Sequence, residues 1–265
     1  MGFAGMTGGY HLFALVPAGT KLPEPLPNGL EQGAITLLPV GPVAAVAQAV
    51  PAAFLARLQE GNSDPAAQQW LTNRLLEHEQ VVEAFVAAGP VFPLGFGVLV
   101  GDPAALREAV APHLATLSAF FDGAAGRQEW CLKFYLHEEA PRRGEMARDA
   151  RSGLDYLAAR RALPERLAAR EAAGRVFVES ALAGLGRHCE AMLGREAGTA
   201  PGKGLRLLAN VALLVRSSDR APLEDAAGAL IAPAANEGLE LTLTGPWPLY
   251  SFRPLISLGA APQAR

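Results

Sequence analysis

The chain has 265 residues, half of them hydrophobic and 18% charged, a balance that excludes general disorder and is enough for one large domain or two ordinary ones. The net charge of −3 argues against nucleic acid as a partner, because nucleic-acid binding normally needs a basic field. The two cysteines, Cys131 and Cys189, have neither CxxC nor metal-ligand spacing, which favours reduced thiols and a cytoplasmic location.

The first part of the chain predicts strands over residues 10–16, 34–38 and 43–50. The last of these runs suits a helix or a strand, and its bounding prolines favour a strand. No charged residue lies between Glu31 and Arg57, so this stretch is long enough to span a membrane. Its three prolines would leave backbone groups unpaired in lipid, so we predict buried strands joined by a Gly41-Pro42 turn and no membrane span.

Two helices follow, each with a capped start. Asp64-Pro65 and Asp102-Pro103 both place an N-cap residue before a proline at the first helical position. The first helix is predicted over residues 64–88, with a strand over 91–100 and a second helix ending near Gly123. The predicted apolar stripe of the first helix is Ala67, Leu71, Leu75, His78, Val82 and Phe85.

The remaining chain predicts a second unit. Residues 128–136 alternate apolar and polar, which is typical of a half-buried strand. A helical region is predicted over 145–196, with Pro164 as a break or a helix start, then a strand or hairpin over 205–216. A helix over 222–236, with Glu224 and Asp225 in its first turn, precedes a strand over 239–244. This order predicts a split βαβ, ferredoxin-like unit, and an α+β fold of two domains, 1–125 and 126–265.

Catalytic and ligand-binding motifs do not match this sequence. Residues 198–204 are one residue short of a phosphate loop, and Gly204 stands where Ser or Thr should bind magnesium. His78-Glu79 and His137-Glu138 begin like a zinc-protease helix but lack the second histidine. We therefore predict no catalytic residue, no metal and no cofactor, and we expect His78 to be a buried core residue.

Arginines crowd the predicted long helical region. Either they form a surface for nucleic acid or an acidic partner, or they belong to a solvated helix face laced with acidic residues. Both interpretations stay open, and the solvated face is favoured. The nine positions are Arg142, Arg143, Arg148, Arg151, Arg160, Arg161, Arg166, Arg170 and Arg175.

Four short segments, in this order along nearly the whole chain, resemble the GvpF/GvpL family of gas vesicle proteins. They are His78-Glu79, the Pro93 to Gly97 segment with Phe96, the strand with Trp130 and Tyr135, and the terminal segment with Pro246, Trp247, Pro248, Tyr250 and Phe252. The chain departs from the family pattern at Gly95, where arginine is common, and at Val98, where threonine is common.

The resemblance implies a non-enzymatic accessory or minor structural protein of gas vesicle assembly, located at the gas vesicle in the cytoplasm. It implies chaperone-like contact with the small hydrophobic shell protein and with other gas vesicle accessory proteins. It also implies two α+β domains, the second a modified ferredoxin-like fold with an extended helical region. The alternative is a small-molecule-binding enzyme or sensor on a ferredoxin-like scaffold, since fold does not decide function.

The terminal strand is the candidate partner surface. Leu239, Leu241 and Leu243 alternate with Glu240, Thr242 and Thr244, and the prolines that follow would end strand pairing. Strand addition to an exposed edge would then use Glu240, Thr242 and Thr244 as outward positions. The other possibility, slightly favoured, is that the segment buries Trp247, Tyr250 and Phe252 between the two units.

Overall fold

A computed structural model describes residues 7–60, 64–138, 153–196 and 204–258. The chain divides into two compact units. Unit 1 comprises Met1–Gly126 together with Trp247–Arg265, and unit 2 comprises Arg127–Pro246. The predicted domain ranges, 1–125 and 126–265, remain a prediction about folding domains. The compact units differ from those ranges in the C-terminal segment, Trp247–Arg265, which belongs to unit 1.

Unit 1 contains one sheet built around its first strand. Its strands are β1 (Thr7–Pro17), β2 (Thr36–Val40), β3 (Val43–Pro51), β4 (Phe92–Pro93) and β5 (Leu99–Val100). Their order is β2-β3-β1-β4, and β5 also pairs with β1, so β4 and β5 share one edge of β1. All these pairings are antiparallel. The strand predicted over 91–100 is therefore interrupted, and the strands predicted around the Gly41-Pro42 turn are confirmed.

The helices of unit 1 are α1 (Ala52–Glu60), α2 (Pro65–Val86), α3 (Pro103–Val110) and α4 (Leu114–Ala124). Both predicted N-caps form: Asp64 accepts from the Ala67 N–H at 2.8 Å, and Asp102 accepts from the N–H groups of Ala104 and Ala105. The single helix predicted after Asp102 is wrong. Pro112 has no N–H, and a 3-10 turn over Ala111–His113 separates α3 from α4 there.

The stripe predicted for α2 is correct only in its C-terminal half. His78, Val82 and Phe85 are buried and face the sheet, whereas Leu75 is 40% exposed. Val81 is also buried. Earlier in the helix the half-buried positions include Trp70, whose ring contacts the Phe54 ring with centroids 5.5 Å apart. The helix thus covers the sheet with its second half and α1 with its first.

The described residues of unit 2 form a four-stranded sheet and two α-helices. Its elements are β6 (Arg127–His137), α5 (Gly153–Leu185), β7 (Ala191–Gly194), β8 (Leu205–Arg216), α6 (Arg220–Asn236) and β9 (Leu239–Trp247). The strand order is β7-β8-β6-β9, which is second, third, first and fourth by position in the unit. This βαββαβ arrangement confirms the ferredoxin-like prediction and the α+β fold class.

Three predictions for unit 2 are corrected. β6 is not half-buried, because Glu129 and Tyr135 on its second face are only 1% and 5% exposed. α5 continues through Pro164 and ends at Leu185, and β7 occupies part of the region predicted as helix. α6 begins at Arg220, which leaves Glu224 and Asp225 outside its first turn. Residues 145–152 of the predicted helical region lie outside the described residues.

The core of unit 2 lies between the sheet and its helices. Its β6 side consists of Trp130, Leu132, Phe134 and Leu136, which alternate along the strand as the sequence predicts. Val178 and Leu185 of α5 and Leu223 of α6 pack against them. Within the described part of the chain, no helix has both the length and the apolar character needed to cross a membrane.

Candidate functional site

The segment between β4 and β5 leaves the edge of β1 and closes over two histidines. Its ends stay tied to β1, because the Leu94 N–H donates to Phe13 O at 3.0 Å and the Leu12 N–H donates to Val98 O at 2.9 Å. Gly97 within it has φ +88°, a backbone conformation that favours glycine. The family-type segment Pro93 to Gly97 is therefore a bulge-like insertion in the strand edge.

The two histidines hold this insertion through backbone hydrogen bonds of opposite sense. His78 Nε2 donates to Leu94 O at 3.0 Å, since a carbonyl can only accept. His11 Nε2 accepts from the Gly97 N–H at 3.2 Å. The His11 bond requires a neutral ring with its proton on Nδ1, because a protonated Nε2 could not accept. The His78 bond requires only a proton on Nε2, and in the neutral ring this fixes the tautomer. Neutral histidines therefore fasten both ends of the insertion.

Burial makes the neutral state favourable. His11 and His78 are fully buried, and desolvation lowers the pKa of His11 well below its ordinary value, with repulsion from His78 lowering it further. Desolvation lowers the pKa of His78 to about 4, although its bond to Leu94 opposes the shift. The Nδ1 atoms of both rings are buried without a hydrogen-bond partner among the described residues.

Aromatic rings surround the two imidazoles. The Phe13 ring stacks on His78 with centroids 5.3 Å apart, and Phe96 lies 5.3 Å from His11 and 5.8 Å from His78. The imidazoles themselves are 5.2 Å apart and nearly perpendicular. Such an arrangement packs and positions the insertion. Both imidazoles are fully buried, so neither ring reaches the protein surface, where a substrate would arrive.

A second family-type segment meets the same helix. Tyr250 donates its hydroxyl to both carboxylate oxygens of Glu79 at 3.1 Å. Burial raises the pKa of Glu79, and the Tyr250 bond partly offsets this rise. Further along, the guanidinium of Arg253 lies 5.5 Å from the centroid of Phe92. His78-Glu79, Pro93 to Gly97 and Tyr250 are thus brought together in unit 1, and Phe252 beside Tyr250 is half-buried.

The Trp130 motif meets the start of the terminal motif in unit 2, whereas Trp247 and Pro248 belong to unit 1. Gly245 has φ +147°, and a Cβ there would lie 2.9 Å from Cδ2 of Trp130 and 3.0 Å from Glu129 O. Glycine is therefore required for the end of β9 to approach β6 this closely. The Trp130 ring also lies 5.5 Å from the guanidinium of Arg220. Tyr135, further along β6, is buried on the opposite side of the strand from Trp130.

The candidate partner positions lie on an outermost strand. β9 ends the strand order of its sheet, next to β6. Glu240 and Thr244 are exposed, and Thr242 is partly exposed. Glu240 lies 3.4 Å from His137, across from β9 on β6. The strand that the sequence singled out is therefore an edge strand, although whether it binds a partner stays a prediction.

The arginine-rich region has mixed roles where the structure describes it. Arg170 is half-buried and donates to the backbone oxygens of His137 and Glu138, so it closes the end of the sheet. Arg175 pairs with Glu171 one helical turn away, as expected of a solvated face. Arg166 is exposed. The side chains of the other six arginines lie outside the described residues.

Among the residues that the structure describes, no group of three or more His, Cys, Asp or Glu could hold a metal ion. Unit 1 has a cavity of about 390 Å³ whose lining is mainly proline and apolar, with Ser118 and Asp122 as its hydroxyl and carboxylate. Most of the loop over residues 198–204 lies outside the described residues.

Comparison with known proteins decides the family. The family model described as "Gas vesicle synthesis protein GvpL/GvpF" matches residues 9–254. The chain belongs to this family. The fold is similar to that of the gas vesicle protein GvpF from Anabaena sp. PCC7120, with a TM-score of 0.65 and 16% identity over 94% of this chain and 100% of that chain.

A second solved structure agrees. The gas vesicle protein GvpF from Microcystis aeruginosa gives a TM-score of 0.61 and 14% identity, again over 94% of this chain and 100% of that chain. At these identities the likeness shows the fold alone. No curated protein matches the sequence. The resemblance stated from the motifs is confirmed at the level of the family.

Sequence reasoning missed His11. It lies in β1, between apolar residues that predict only a strand, and its partner Gly97 is 86 positions away. A histidine in an otherwise apolar strand was the available signal, because a buried polar ring needs a hydrogen-bond partner. The sequence alone did not show that Gly97 lies in an insertion between β4 and β5, so the partner of His11 could not be predicted.

Proposed function

We propose that this GvpF/GvpL family member is a non-enzymatic assembly factor or minor component of the gas vesicle. It works in the cytoplasm and at the vesicle, where it contacts the small hydrophobic shell protein in a chaperone-like manner alongside other accessory proteins. The edge of β9 supplies the contact, by adding a strand of the partner to the sheet of unit 2.

The position of β9 is the observation that supports this proposal. An edge strand offers backbone groups along its outer side, and such edges readily pair with another chain. Glu240 and Thr244 on this strand are exposed, and Thr242 is partly exposed. Solvent therefore reaches this part of the edge strand. Backbone pairing makes little demand on the partner's side chains, which suits a partner that is small and apolar.

The end of β9 sets a limit to the proposed contact. Gly245 lies against Trp130, and Pro246 and Pro248 have no N–H to donate. Strand addition would therefore stop before Gly245, so residues 240–244 are the proposed docking segment. The enzyme or sensor alternative is not favoured, because membership of an assembly family gives it no support.

Co-precipitation of the shell protein tests the proposal. Thr242→Lys and Thr244→Lys place cations along the proposed edge, and each should reduce the amount of shell protein recovered with the tagged chain. Thr36→Lys is the matched control, because Thr36 is an exposed threonine on β2, an edge strand of the sheet in unit 1.

The two edges give distinct outcomes. Loss of co-precipitation in the β9 variants, with recovery unchanged in Thr36→Lys and with unchanged melting temperatures, supports the β9 edge. Equal loss in all three variants would point to a general charge effect, and full recovery in the β9 variants would exclude residues 240–244 as the docking segment.

A further inference from the structure

A small loop of unit 1 is built with unusual backbone strain. Residues Gly29 to Gly33 close on themselves, since the Gly29 N–H donates to Gly33 O at 2.9 Å. Within the loop Glu31 and Gln32 have φ values of +51° and +65°. Non-glycine residues rarely adopt such values, and they persist where the surrounding contacts fix them.

A buried amide holds the loop from inside. Gln48 of β3 is 5% exposed, and its Nε2 donates to Leu30 O at 2.8 Å. A Cβ on Gly29 or Gly33 would lie 2.1 or 2.0 Å from atoms of this amide, so only glycine fits at either end. The loop is therefore a fixed platform, and the side chain that it presents is Glu31.

Glu31 meets an aromatic and cationic surface on α1 and α2. The Trp70 Nε1–H donates to Glu31 Oε1 at 2.9 Å, and Arg74 pairs with Glu31 at 3.1 Å. Glu77 accepts from the Glu31 N–H at 3.0 Å and also pairs with Arg74 at 2.6 Å. The Trp70 ring is thus held in one orientation by its hydrogen bond, and Arg74 is satisfied by two carboxylates.

Arg57 lies beside this network but takes no part in its ion pairs. Its guanidinium lies 4.7 Å from the centroid of the Trp70 ring, and Arg57 is exposed. Among the described residues no carboxylate pairs with it. A guanidinium stacked on an indole keeps its planar face oriented and its N–H donors directed outward, which suits a carboxylate.

We propose that Glu31, Arg57, Trp70 and Arg74, here called the Trp70 surface, form a protein-docking site that receives an acidic segment of a partner through a carboxylate on Arg57. Tryptophan and arginine are the residues most enriched among energetically dominant contacts of protein interfaces. Glu31 and Glu77 would repel a dense polyanion such as nucleic acid, whereas single carboxylates can be accommodated.

This docking site goes beyond the proposed contact at β9, which lies in unit 2. A peptide titration tests it without the shell protein. The probe is a fluorescein-labelled peptide of Gly-Leu-Glu repeats, and the matched probe carries Lys in place of every Glu. Fluorescence anisotropy is measured with the full chain at low and at physiological salt.

The wild-type chain should bind the Glu peptide, more weakly at the higher salt, and should not bind the Lys peptide. Arg57→Ala should weaken binding about tenfold or more, as expected for the loss of one charge-assisted pair. Arg57→Lys should fall between, because lysine keeps the charge but not the planar fork. Arg107→Ala is the matched control, since Arg107 is an exposed arginine on α3 of the same unit.

Three results would overturn the proposal. They are no binding of the Glu peptide by the wild type, equal weakening by Arg57→Ala and Arg107→Ala, and unchanged binding in Arg57→Ala with a lowered melting temperature. The last would show that Arg57 only packs on Trp70. Thr242→Lys should bind the peptide normally, so failure of the β9 contact and failure of the Trp70 surface give different patterns.

Discussion

Acid should loosen unit 1 through its two buried histidines. The Gly97 N–H points at His11 Nε2, so a proton on that atom would place two donors against each other. His78 can keep its bond to Leu94 when protonated, but the charge would be buried among Phe13, Phe96 and the second imidazole. Both geometries favour neutral rings in the folded chain.

The size of the effect follows for His78. Its pKa is lowered from 6.5 to about 4 in the folded chain. As the pH falls, the ring is therefore protonated in the unfolded chain at a higher pH than in the folded chain. The stability that this provides is fully present above about pH 6.5 and is lost as the pH falls towards 4. Linkage gives a loss of about 2 kcal/mol between pH 7 and pH 5 and about 3 kcal/mol by pH 4. The lowered pKa of His11 acts in the same direction.

Urea unfolding followed by circular dichroism, from pH 5 to pH 8, measures this loss. The variant His78→Gln keeps an N–H that can donate to Leu94 O but does not titrate. It should be less stable than the wild type near pH 7.5, by about 1 kcal/mol for lost packing. On going to pH 5 the wild type alone loses about 2 kcal/mol from His78, so the order should reverse and His78→Gln should be the more stable chain by about 1 kcal/mol.

Two comparisons make the result specific. Glu79 and Glu83 have raised pKa values, so their protonation favours folding as the pH falls. The wild type and His78→Gln share this effect, so it does not change the difference in stability between them. His113→Gln should keep the acid loss of the wild type, because His11 and His78 remain. If the gap between wild type and His78→Gln stays constant from pH 5 to pH 8, the reasoning is refuted.

Two glycine substitutions should behave in opposite ways. Gly245→Ala should lower the free energy of unfolding by more than about 1 kcal/mol, because its Cβ would lie 2.9 Å from the Trp130 ring and its φ is positive. Gly95→Arg, which restores the arginine common in the family, should change stability by less than about 0.5 kcal/mol, because nothing lies within 4 Å of a Cβ there. Urea midpoints measure both, and equal losses in the two variants would contradict the packing described around Gly245.

Local signals in the sequence predicted much of the fold. The caps at Asp64 and Asp102 and the turn at Gly41 depend on neighbouring residues alone, and each formed as predicted. The end of α3 just before Pro112 is also a local signal, since proline removes a helix donor. α1 was missed because it continues the apolar run of β3 with little change in composition.

Tertiary contacts decided what the sequence did not predict. The strand predicted over 91–100 has enough apolar residues to continue, and its interruption depends on His11 and His78, which lie elsewhere in the chain. Burial of the second face of β6 likewise depends on what covers it, and alternation alone indicates only one covered face. The motif residues were found by resemblance, and their division between two units emerged only from the structure.

The contacts of the motif residues bear on where function lies. His78 and Gly97 fasten an insertion to β1, Tyr250 ties the C-terminal segment to α2, and Trp130 packs on Gly245. Each of these contacts joins distant parts of one unit and stabilises its fold. A residue committed to such a contact is poorly placed to bind a partner as well. The partner surfaces are therefore better sought where side chains are exposed and held in place by their neighbours, as at the β9 edge and the Trp70 surface, and the motif residues are better regarded as the framework that positions them.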